Sequence, residues 1–273
     1  MYLFLFSLLD MRKRFLVFTG LLLMLSACGN KQTGAGFNLF TIEQDRQLGA
    51  QVAAEIESNP QEYPILDSAS NIQAYRYIYA MRDKLLNSGN VRLKDDFQWR
   101  IRIIRDDNTL NAFCTPGGYI YIYTGLIKFL DAEDQLAGVL AHEIAHADFR
   151  HSTRQMTRMY GVQMLLSVLA GNREALKQVT GGLIGLKFSR GHEEEADYGS
   201  VLYMCPTDYD AAGGATFFEK LEAMGGAQSP QFLSSHPSPT NRIAHFHETK
   251  LEKGCNGNQT FASEYAQFKA ILP

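Results

Sequence analysis

The stretch EDQLAGVLAHEIAH, residues 133–146, decides the fold of this chain. Its two leading acidic residues suit the N-terminus of a helix, where the helix dipole favours negative charge. Apolar side chains then recur one turn apart, at Leu136, Leu140 and Ile144, as they do in a helix that buries one face. We therefore predict one helix over residues 131–149 and assign the other elements around it.

His142 and His146 lie four residues apart in this helix, with Glu143 next to the first. That spacing puts both imidazoles on one face, one turn apart, where their nitrogens can bind one Zn²⁺ at about 2.0–2.1 Å. Glu143 can take a proton from the water that zinc activates and then pass it to a leaving amine. The HExxH pattern therefore predicts His142 and His146 as ligands of one Zn²⁺ per chain, and Glu143 as the catalytic base.

A third protein ligand has to come from another part of the chain. His151 follows His142 by nine residues, which puts it on the opposite side of the helix if the helix continues that far. Phe149 and Ser152 occupy the Gly and third His positions of the longer motif HExxHxxGxxH. Both observations argue against a third histidine ligand immediately downstream.

The run HEEEAD, residues 192–197, is the better source of that ligand. Zinc hydrolases often combine two histidines with one glutamate, and this run falls in a later predicted helix. Spacing alone does not choose among Glu193, Glu194 and Glu195. The alternative interpretation of such an acidic run is a solvated helix face.

The remaining pattern indicates an α+β fold that is mostly helical, with a small β-sheet or hairpin beside the HExxH helix. A capping box, in which Thr41 and Gln44 would bond each other's backbone, begins the first helix. The predicted helices cover residues 41–57, 71–86, 131–149, 154–170, 183–204, 211–224 and 240–251. The predicted strands cover residues 97–104, 111–114 and 119–123.

Composition is that of an ordinary globular protein, with 273 residues, 45% of them hydrophobic and 20% charged. The formal net charge of −3 argues against a nucleic-acid partner, since such proteins are usually basic. Three cysteines follow the N-terminal region, at 114, 205 and 255. They do not have the CxxC spacing of a metal cluster, and a bridge between Cys205 and Cys255 is possible.

The N-terminal region has the pattern of a secretory signal. Residues 12–14 are basic, an apolar run follows over residues 15–25, and small residues then precede Cys28. The sequence Leu-Ser-Ala-Cys resembles the lipobox of bacterial lipoproteins, in which the signal is cut before a cysteine that then carries lipid. We therefore expect a signal peptide over 1–27, lipidation at Cys28, a flexible tether over 28–40 and a metallopeptidase domain over 41–273.

The expected location is a bacterial membrane, facing the periplasm. The residue after the lipidated cysteine is Gly29, and in lipoproteins of this kind a residue other than Asp there permits export to the outer membrane. The alternatives are a plain signal peptide or an uncut anchor. Met11 is an alternative start, because residues 1–10 add nothing that a signal peptide needs.

Taken together, four segments resemble the HtpX and CAAX-prenyl-protease family of gluzincins, and most closely its soluble periplasmic members of the LoiP and BepA type. The four segments are Asn111-Ala112-Phe113 with Pro116-Gly117-Gly118, then His142 to His146, then Ser189-Arg190 with Glu193 to Asp197, and finally Ser235-His236-Pro237 with Arg242-Ile243. They occur in family order over about residues 41–252. The long transmembrane hairpins of HtpX and the helical-repeat tail of BepA are not matched.

The resemblance implies roles for individual residues. Glu193 corresponds to the third zinc ligand, and Asp197 to a carboxylate that holds a ligand histidine. His236 and Arg242 lie in segments that approach the zinc in relatives, and we expect them to assist catalysis, His236 also as a removable contact that covers the metal. Glu195 is then expected to point away from the site and to serve packing or a surface pair, and His192 is expected to be exposed.

The segment around Gly117, Gly118 and Tyr119 is expected to hold substrate. An exposed strand edge binds an extended peptide through main-chain hydrogen bonds, and two glycines allow the backbones to approach closely. The alternative is a plain structural hairpin.

The function that the resemblance implies is a membrane-anchored zinc endopeptidase, active in quality control of misfolded or unassembled envelope proteins. The alternative is a proteolytically silent lipoprotein that contains zinc and acts as a chaperone or binding module. Cleavage that is lost on chelation and restored by zinc separates the two.

Overall fold

The computed structural model describes residues 38–160, 162–224, 231–237 and 241–273. The predicted signal peptide, Cys28 and most of the predicted tether lie outside these residues. Asn38 to Phe40 are described, and they pack on the domain: the Asn38 amide donates to Thr153 Oγ1 at 2.9 Å, and Phe40 is buried. The domain therefore includes the last three residues that were assigned to the tether.

The fold is mostly helical with one small sheet, as predicted. The strands are β1 (Arg100–Ile104), β2 (Ala112–Thr115) and β3 (Tyr119–Tyr123). The first helices are α1 (Ile42–Glu57), α2 (Ile72–Leu86), α3 (Thr124–Phe129), α4 (Glu133–Asp148), α5 (His151–Met159) and α6 (Val162–Leu169). The others are α7 (Arg173–Ile184), α8 (Arg190–Met204), α9 (Gly213–Ala223), α10 (Gln231–Ser235), α11 (Arg242–Lys253) and α12 (Ala262–Ala270).

The sheet has the order β1-β3-β2, with β1 parallel and β2 antiparallel to the central strand β3. The sequence of β3 is YIYIY, and side chains alternate between the two faces of a strand. Ile120 and Ile122 pack into a core with α2, α4, α8 and α9, whereas the three tyrosines pack into a second core with α1 and α7. The sheet is thus covered on both faces and separates the two cores.

Helices α4 and α8 lie in close contact, and this contact builds the site. A Cβ atom at Gly199 of α8 would come within 2.6 Å of the Ala145 side chain of α4, closer than real Cβ atoms approach. Only a glycine therefore permits this separation. Ser189 caps the N-terminus of α8 by accepting a hydrogen bond from the backbone N–H of His192 at 3.2 Å. Glu193 therefore lies in the first turn of this helix.

Two of the predicted helices are each divided in the structure. The predicted helix over 154–170 is α5 and α6, with Tyr160 in extended conformation at the end of α5. The predicted helix over 183–204 is the end of α7 and all of α8, and Gly181 and Gly182, which precede the predicted helix, lie inside α7. Glycine is a poor helix former, yet α7 continues through both, with Val179 and Leu183 packed into the second core. Between α7 and α8, Phe188 stacks on His146 with ring centroids 4.1 Å apart.

A disulfide joins Cys205, at the C-terminal end of α8, to Cys255, just after α11. The bridge that the sequence left open is therefore present, and Cys114 is a buried free thiol. Among the described residues, no helix is both long enough and apolar enough to span a membrane.

Candidate metal centre and active site

Four side chains converge at the contact between α4 and α8. His142, His146, Glu193 and His236 each offer one ligand atom, and these atoms lie within 4.8 Å of one another. Helix α4 supplies the two histidines of the HExxH motif, α8 supplies Glu193, and His236 follows α10. The structure thus brings together the three predicted ligands and His236, which we expected as a removable contact. We call these four side chains the ligand group.

The separations between these atoms fit a zinc ion. Ligands about 2.0–2.1 Å from a tetrahedral zinc are about 3.3 Å apart. His142 Nε2 is 2.9 Å from His146 Nε2 and 3.3 Å from His236 Nδ1. The carboxylate of Glu193 lies 3.5 Å from His142 Nε2, 3.4 Å from His146 Nε2 and 3.2 Å from His236 Nδ1.

The electrostatics of the site also fit a divalent cation. Glu143, Glu193 and Asp197 are opposed by the single guanidinium of Arg242, and all four side chains are buried. When the histidines are neutral, as metal binding requires, these formal charges sum to −2, and such buried charge is costly unless it is compensated. Both carboxylate oxygens of Glu143 and Oε2 of Glu193 lack hydrogen-bond partners within the described part of the chain, and a cation would compensate them.

The pKa directions show how the surroundings differ around the site. Burial raises the pKa of Glu193, but the charge of His236 and hydrogen bonds from the ligand histidines outweigh it, so the pKa lies well below its usual value. Burial and the charge of His142 lower the pKa of His146. Burial also opposes charge on His142, yet hydrogen bonds to Asp197 and Glu193 raise its pKa to about 9.

Asp197 occupies the predicted position behind a ligand histidine. Its Oδ1 accepts a hydrogen bond from His142 Nδ1 at 2.9 Å, which leaves Nε2 of that ring facing the ligand group. Arg242 Nη2 donates to the same oxygen at 2.6 Å and lies 3.2 Å from Glu193 Oε2. Arg242 therefore holds the two carboxylates of α8, while its Nη1 and Nε have no partner in the described residues.

Glu143 faces the ligand group from α4. Its Oε1 lies 3.5 Å from His236 Nε2. The thiol of Cys114, on β2, lies near the carboxylate, and burial and the charge of Glu143 raise the pKa of this thiol well above its usual value. Because its oxygens have no hydrogen-bond partner among the described residues and it lies beside the ligand group, the Glu143 carboxylate is placed to accept a proton from water.

The predicted substrate edge is not a free edge in this structure. Tyr119 belongs to the central strand, and the carbonyls of Gly117 and Gly118 already accept hydrogen bonds from Gln98 and Arg100, both at 2.9 Å. A Cβ at Gly118 would lie 3.0 Å from Trp99, so tight packing explains this glycine. The edge strand β2 carries Cys114, whose thiol interacts with Glu143.

Two residues near the site, His151 and His192, differ from their predicted placement. His151 is buried and contacts His146, because α4 ends before it and Arg150, in left-handed conformation with φ 59°, turns the chain back. Glu195 points away from the four ligand atoms, as expected, and pairs with His151 and Arg154. His192, expected to be exposed, is buried against the His151 ring. The sequence carries no signal for the turn at Arg150, because a left-handed arginine is uncommon.

The fold and this site define a metalloprotease whose HExxH helix is completed by a glutamate from a second helix. The chain belongs to peptidase family M48, whose model matches residues 73–250. It is a metalloendopeptidase, and the metal of this family is zinc.

Curated relatives include mitochondrial and bacterial proteases. The chain is 34% identical over 159 residues to the mitochondrial metalloendopeptidase OMA1 of Schizosaccharomyces pombe, covering 56% of this chain and 47% of the relative. It is 28% identical over 228 residues to the beta-barrel assembly-enhancing protease of Escherichia coli K12, covering 78% of this chain and 45% of the relative. The chain thus spans about half the length of these relatives.

Proposed function

We propose that this protein is an exported, lipid-anchored endopeptidase that cleaves unfolded or unassembled proteins of the cell envelope. The proposal is carried by the position of Glu143, which is buried beside the four potential ligands and has no hydrogen-bond partner among the described residues. The other parts of the proposal, export and substrate, rest on the sequence of the N-terminus and on the bacterial relatives.

In this proposal the residues of the site divide the chemistry among them. A bound zinc would polarise the peptide carbonyl and acidify water. Glu143 accepts the proton of the attacking water and returns it to the leaving nitrogen. Asp197 holds the ring of His142, and Arg242 holds Asp197. The free Nη1 of Arg242 can donate to the carbonyl oxygen as negative charge develops there.

His236 has to move before substrate can bind. Catalytic zinc sites keep one position open, whereas sites with four protein ligands are closed. His236 would fill the fourth position of a bound zinc, and Phe232 stacks on its ring with centroids 4.3 Å apart. Glu143, His146 and Glu193 have no exposed surface. In this proposal His236 is a removable contact that closes the site until substrate displaces it.

Export is supported by the lipobox-like sequence ending at Cys28. The disulfide between Cys205 and Cys255 adds independent support, since disulfides persist mainly in oxidising compartments such as the periplasm. The name of the Escherichia coli relative suggests the envelope as the place of substrates.

The catalytic part is tested with Glu143→Gln and unfolded casein as substrate. The variant keeps the ligand set, so we expect it to retain one zinc per chain. Cleavage should fall by at least about a thousandfold, because a glutamine cannot accept the proton. Cleavage in the wild-type protein should stop on chelation and return with zinc. Near-normal cleavage by the variant would disprove the mechanism.

The anchoring part is tested separately with Cys28→Ala. We expect the wild-type protein in the membrane fraction, labelled by a fatty-acid analogue, and the variant unlabelled. An unlabelled wild-type protein would remove the lipid anchor from the proposal and leave the catalytic part standing.

A further inference from the structure

A line of hydrogen bonds leads from His146 away from the ligand group. Its Nε2 faces that group, 3.4 Å from Glu193 Oε1. Its other ring nitrogen, Nδ1, lies 2.9 Å from Nδ1 of His151, and His151 Nε2 lies 2.9 Å from Glu195 Oε2. Arg154 Nη1 ends the line, 3.5 Å from the same carboxylate oxygen.

The chemistry of these groups fixes the direction of every hydrogen bond in the line. If Nε2 of His146 binds a metal, the proton of that neutral ring lies on Nδ1 and is donated. Nδ1 of His151 must then be the acceptor, so the proton of His151 lies on Nε2. A carboxylate only accepts, and Glu195 is in place to receive that second proton.

The fold expends conformational energy to place His151 here. Arg150 adopts a left-handed backbone conformation, with φ 59°, which is uncommon outside glycine, asparagine and aspartate. Its guanidinium is held by the Asp45 carboxylate and by the Phe40 carbonyl. Beyond the turn, the His192 ring stacks on His151 with centroids 4.5 Å apart and planes at 13°. The ring of His151 is thus fixed in both position and plane.

We propose that His151 is a positioning residue of the metal centre: it accepts the Nδ1 proton of His146, is oriented by Glu195, and keeps Nε2 of His146 free for the metal. The proposal goes beyond the Asp197–His142 pairing on the other side of the site, because here a second histidine separates the ligand from the carboxylate. It rests on the metal binding of the proposed function, and on none of its statements about substrate or membrane.

The test compares His151→Leu with His151→Asn. Leucine removes the acceptor, whereas the side-chain oxygen of asparagine can take the place of Nδ1. We expect the zinc affinity of His151→Leu to fall 10- to 100-fold, the range for lost partners of ligand histidines, and that of His151→Asn to stay within about threefold of wild type. Zinc affinity is measured by competition with a fluorescent chelator, and His247→Leu, at an exposed histidine of α11, is the matched control, expected to bind zinc within about twofold of wild type.

Two further readouts separate positioning from packing. With zinc saturating, His151→Leu should lower kcat and leave KM for casein unchanged, because His151 contacts the ligand and not the substrate. In the zinc-loaded wild-type protein, ¹⁵N NMR should show the His151 proton on Nε2. Proton density on Nδ1 instead would overturn the proposal.

The outcomes distinguish this proposal from the proposed function. Wild-type affinity in His151→Leu would refute the positioning role and leave the protease intact, whereas a wild-type protein that binds no zinc would remove both. If His151→Leu does not fold, Glu195→Ala tests the same hydrogen-bonded series, from His146 through His151 to Glu195, at a half-buried position. We expect about three- to tenfold weaker zinc binding there, less than for loss of a direct partner, and unchanged binding would again overturn the proposal.

Discussion

The two histidines of the HExxH motif face the same ligand group but are supported differently. On the charged side, which consists of His142, Asp197 and Arg242, a carboxylate lies 2.9 Å from the ligand ring and a guanidinium 2.6 Å from that carboxylate. On the neutral side, which consists of His146, His151 and Glu195, the ligand ring contacts another imidazole at 2.9 Å. The Glu195 carboxylate contacts His151 and not the ligand ring itself.

This difference accounts for the opposite pKa directions of two rings that are equally buried. The neighbouring carboxylates raise the pKa of His142 to about 9, against the effect of burial. Burial lowers the pKa of His146, and the nearby His142 charge lowers it further. A carboxylate partner makes a ligand histidine more basic. We therefore infer that the charged side contributes more to zinc affinity than the neutral side.

The two sides also depend on different parts of the fold. The charged side needs α4, α8 and α11 to meet, since each helix contributes one of its residues. In the neutral side, His146 and His151 are five residues apart in sequence, and only Glu195 comes from a distant element. Loosening of long-range packing should therefore disturb the charged side first.

The largest effect is expected from removing the disulfide, which joins the ends of α8 and α11. Cys205 and Cys255 are 50 residues apart, and the chain-entropy model gives about 4 kcal/mol for closing such a loop. We expect Cys205→Ala/Cys255→Ala to lower Tm by about 10 °C and to weaken zinc binding. Reductant should lower the Tm of the wild-type protein to that of the variant and not affect the variant; equal Tm values without reductant would contradict the prediction.

The next largest effect is expected from breaking the charged side itself. Asp197→Asn removes the negative charge and leaves the buried Arg242 without its closest partner, which is costly. We expect zinc affinity to fall about 100-fold, at the upper end of the range for such partners, and more than in His151→Leu. Glu194→Gln is the matched control, because Glu194 is exposed on the same helix. An equal loss in Asp197→Asn and His151→Leu would remove the distinction between the two sides.

A smaller effect is expected at His236, which belongs to neither the charged side nor the neutral side. Its Nδ1 is 3.3 Å from His142 Nε2 and 3.2 Å from Glu193 Oε1. Since His236→Ala opens one ligand position, we expect cleavage of casein to rise about threefold, while zinc affinity falls by a similar factor. The double variant His236→Ala/Glu143→Gln should not cleave casein. A loss of cleavage with zinc retained would instead make His236 a catalytic donor, as the sequence pattern also allowed.

The sequence pointed to the charged side but not to the neutral side. Helical spacing places His142 with His146, and Glu193 with Asp197, on one helix face each. The choice of Glu193 among three glutamates, and the roles of Asp197 and Arg242, were implied by the family resemblance. That the two helices meet was implied only by the family resemblance, and Gly199 is the local reason that they can. His151 and Glu195 form a pair through the left-handed turn at Arg150, which depends on Asp45, a residue 105 positions away.

The smallest effect tests whether zinc affinity can be separated from stability. Asp134 lies in the first turn of α4, and burial with the added charge of Asp210 raises its pKa to about 7. The unfolded group titrates near 3.8, so between these values the folded state holds a proton that the unfolded state releases, and stability falls as pH rises. Asp134→Asn does not lose stability in this way, because asparagine does not ionise. We expect its Tm to exceed that of wild type by a few degrees at pH 8, with the difference vanishing below about pH 4.

Zinc affinity of Asp134→Asn at pH 8 should equal that of wild type, because Asp134 contacts neither side of the site. Such a result would show that a change in the stability of α4 does not by itself alter metal binding. The losses in Asp197→Asn and His151→Leu could then be assigned to the partners of the two ligand rings. A Tm difference that grows as pH falls would contradict the assigned titration, since the penalty on the wild-type protein is greatest when Asp134 is ionised in the folded state.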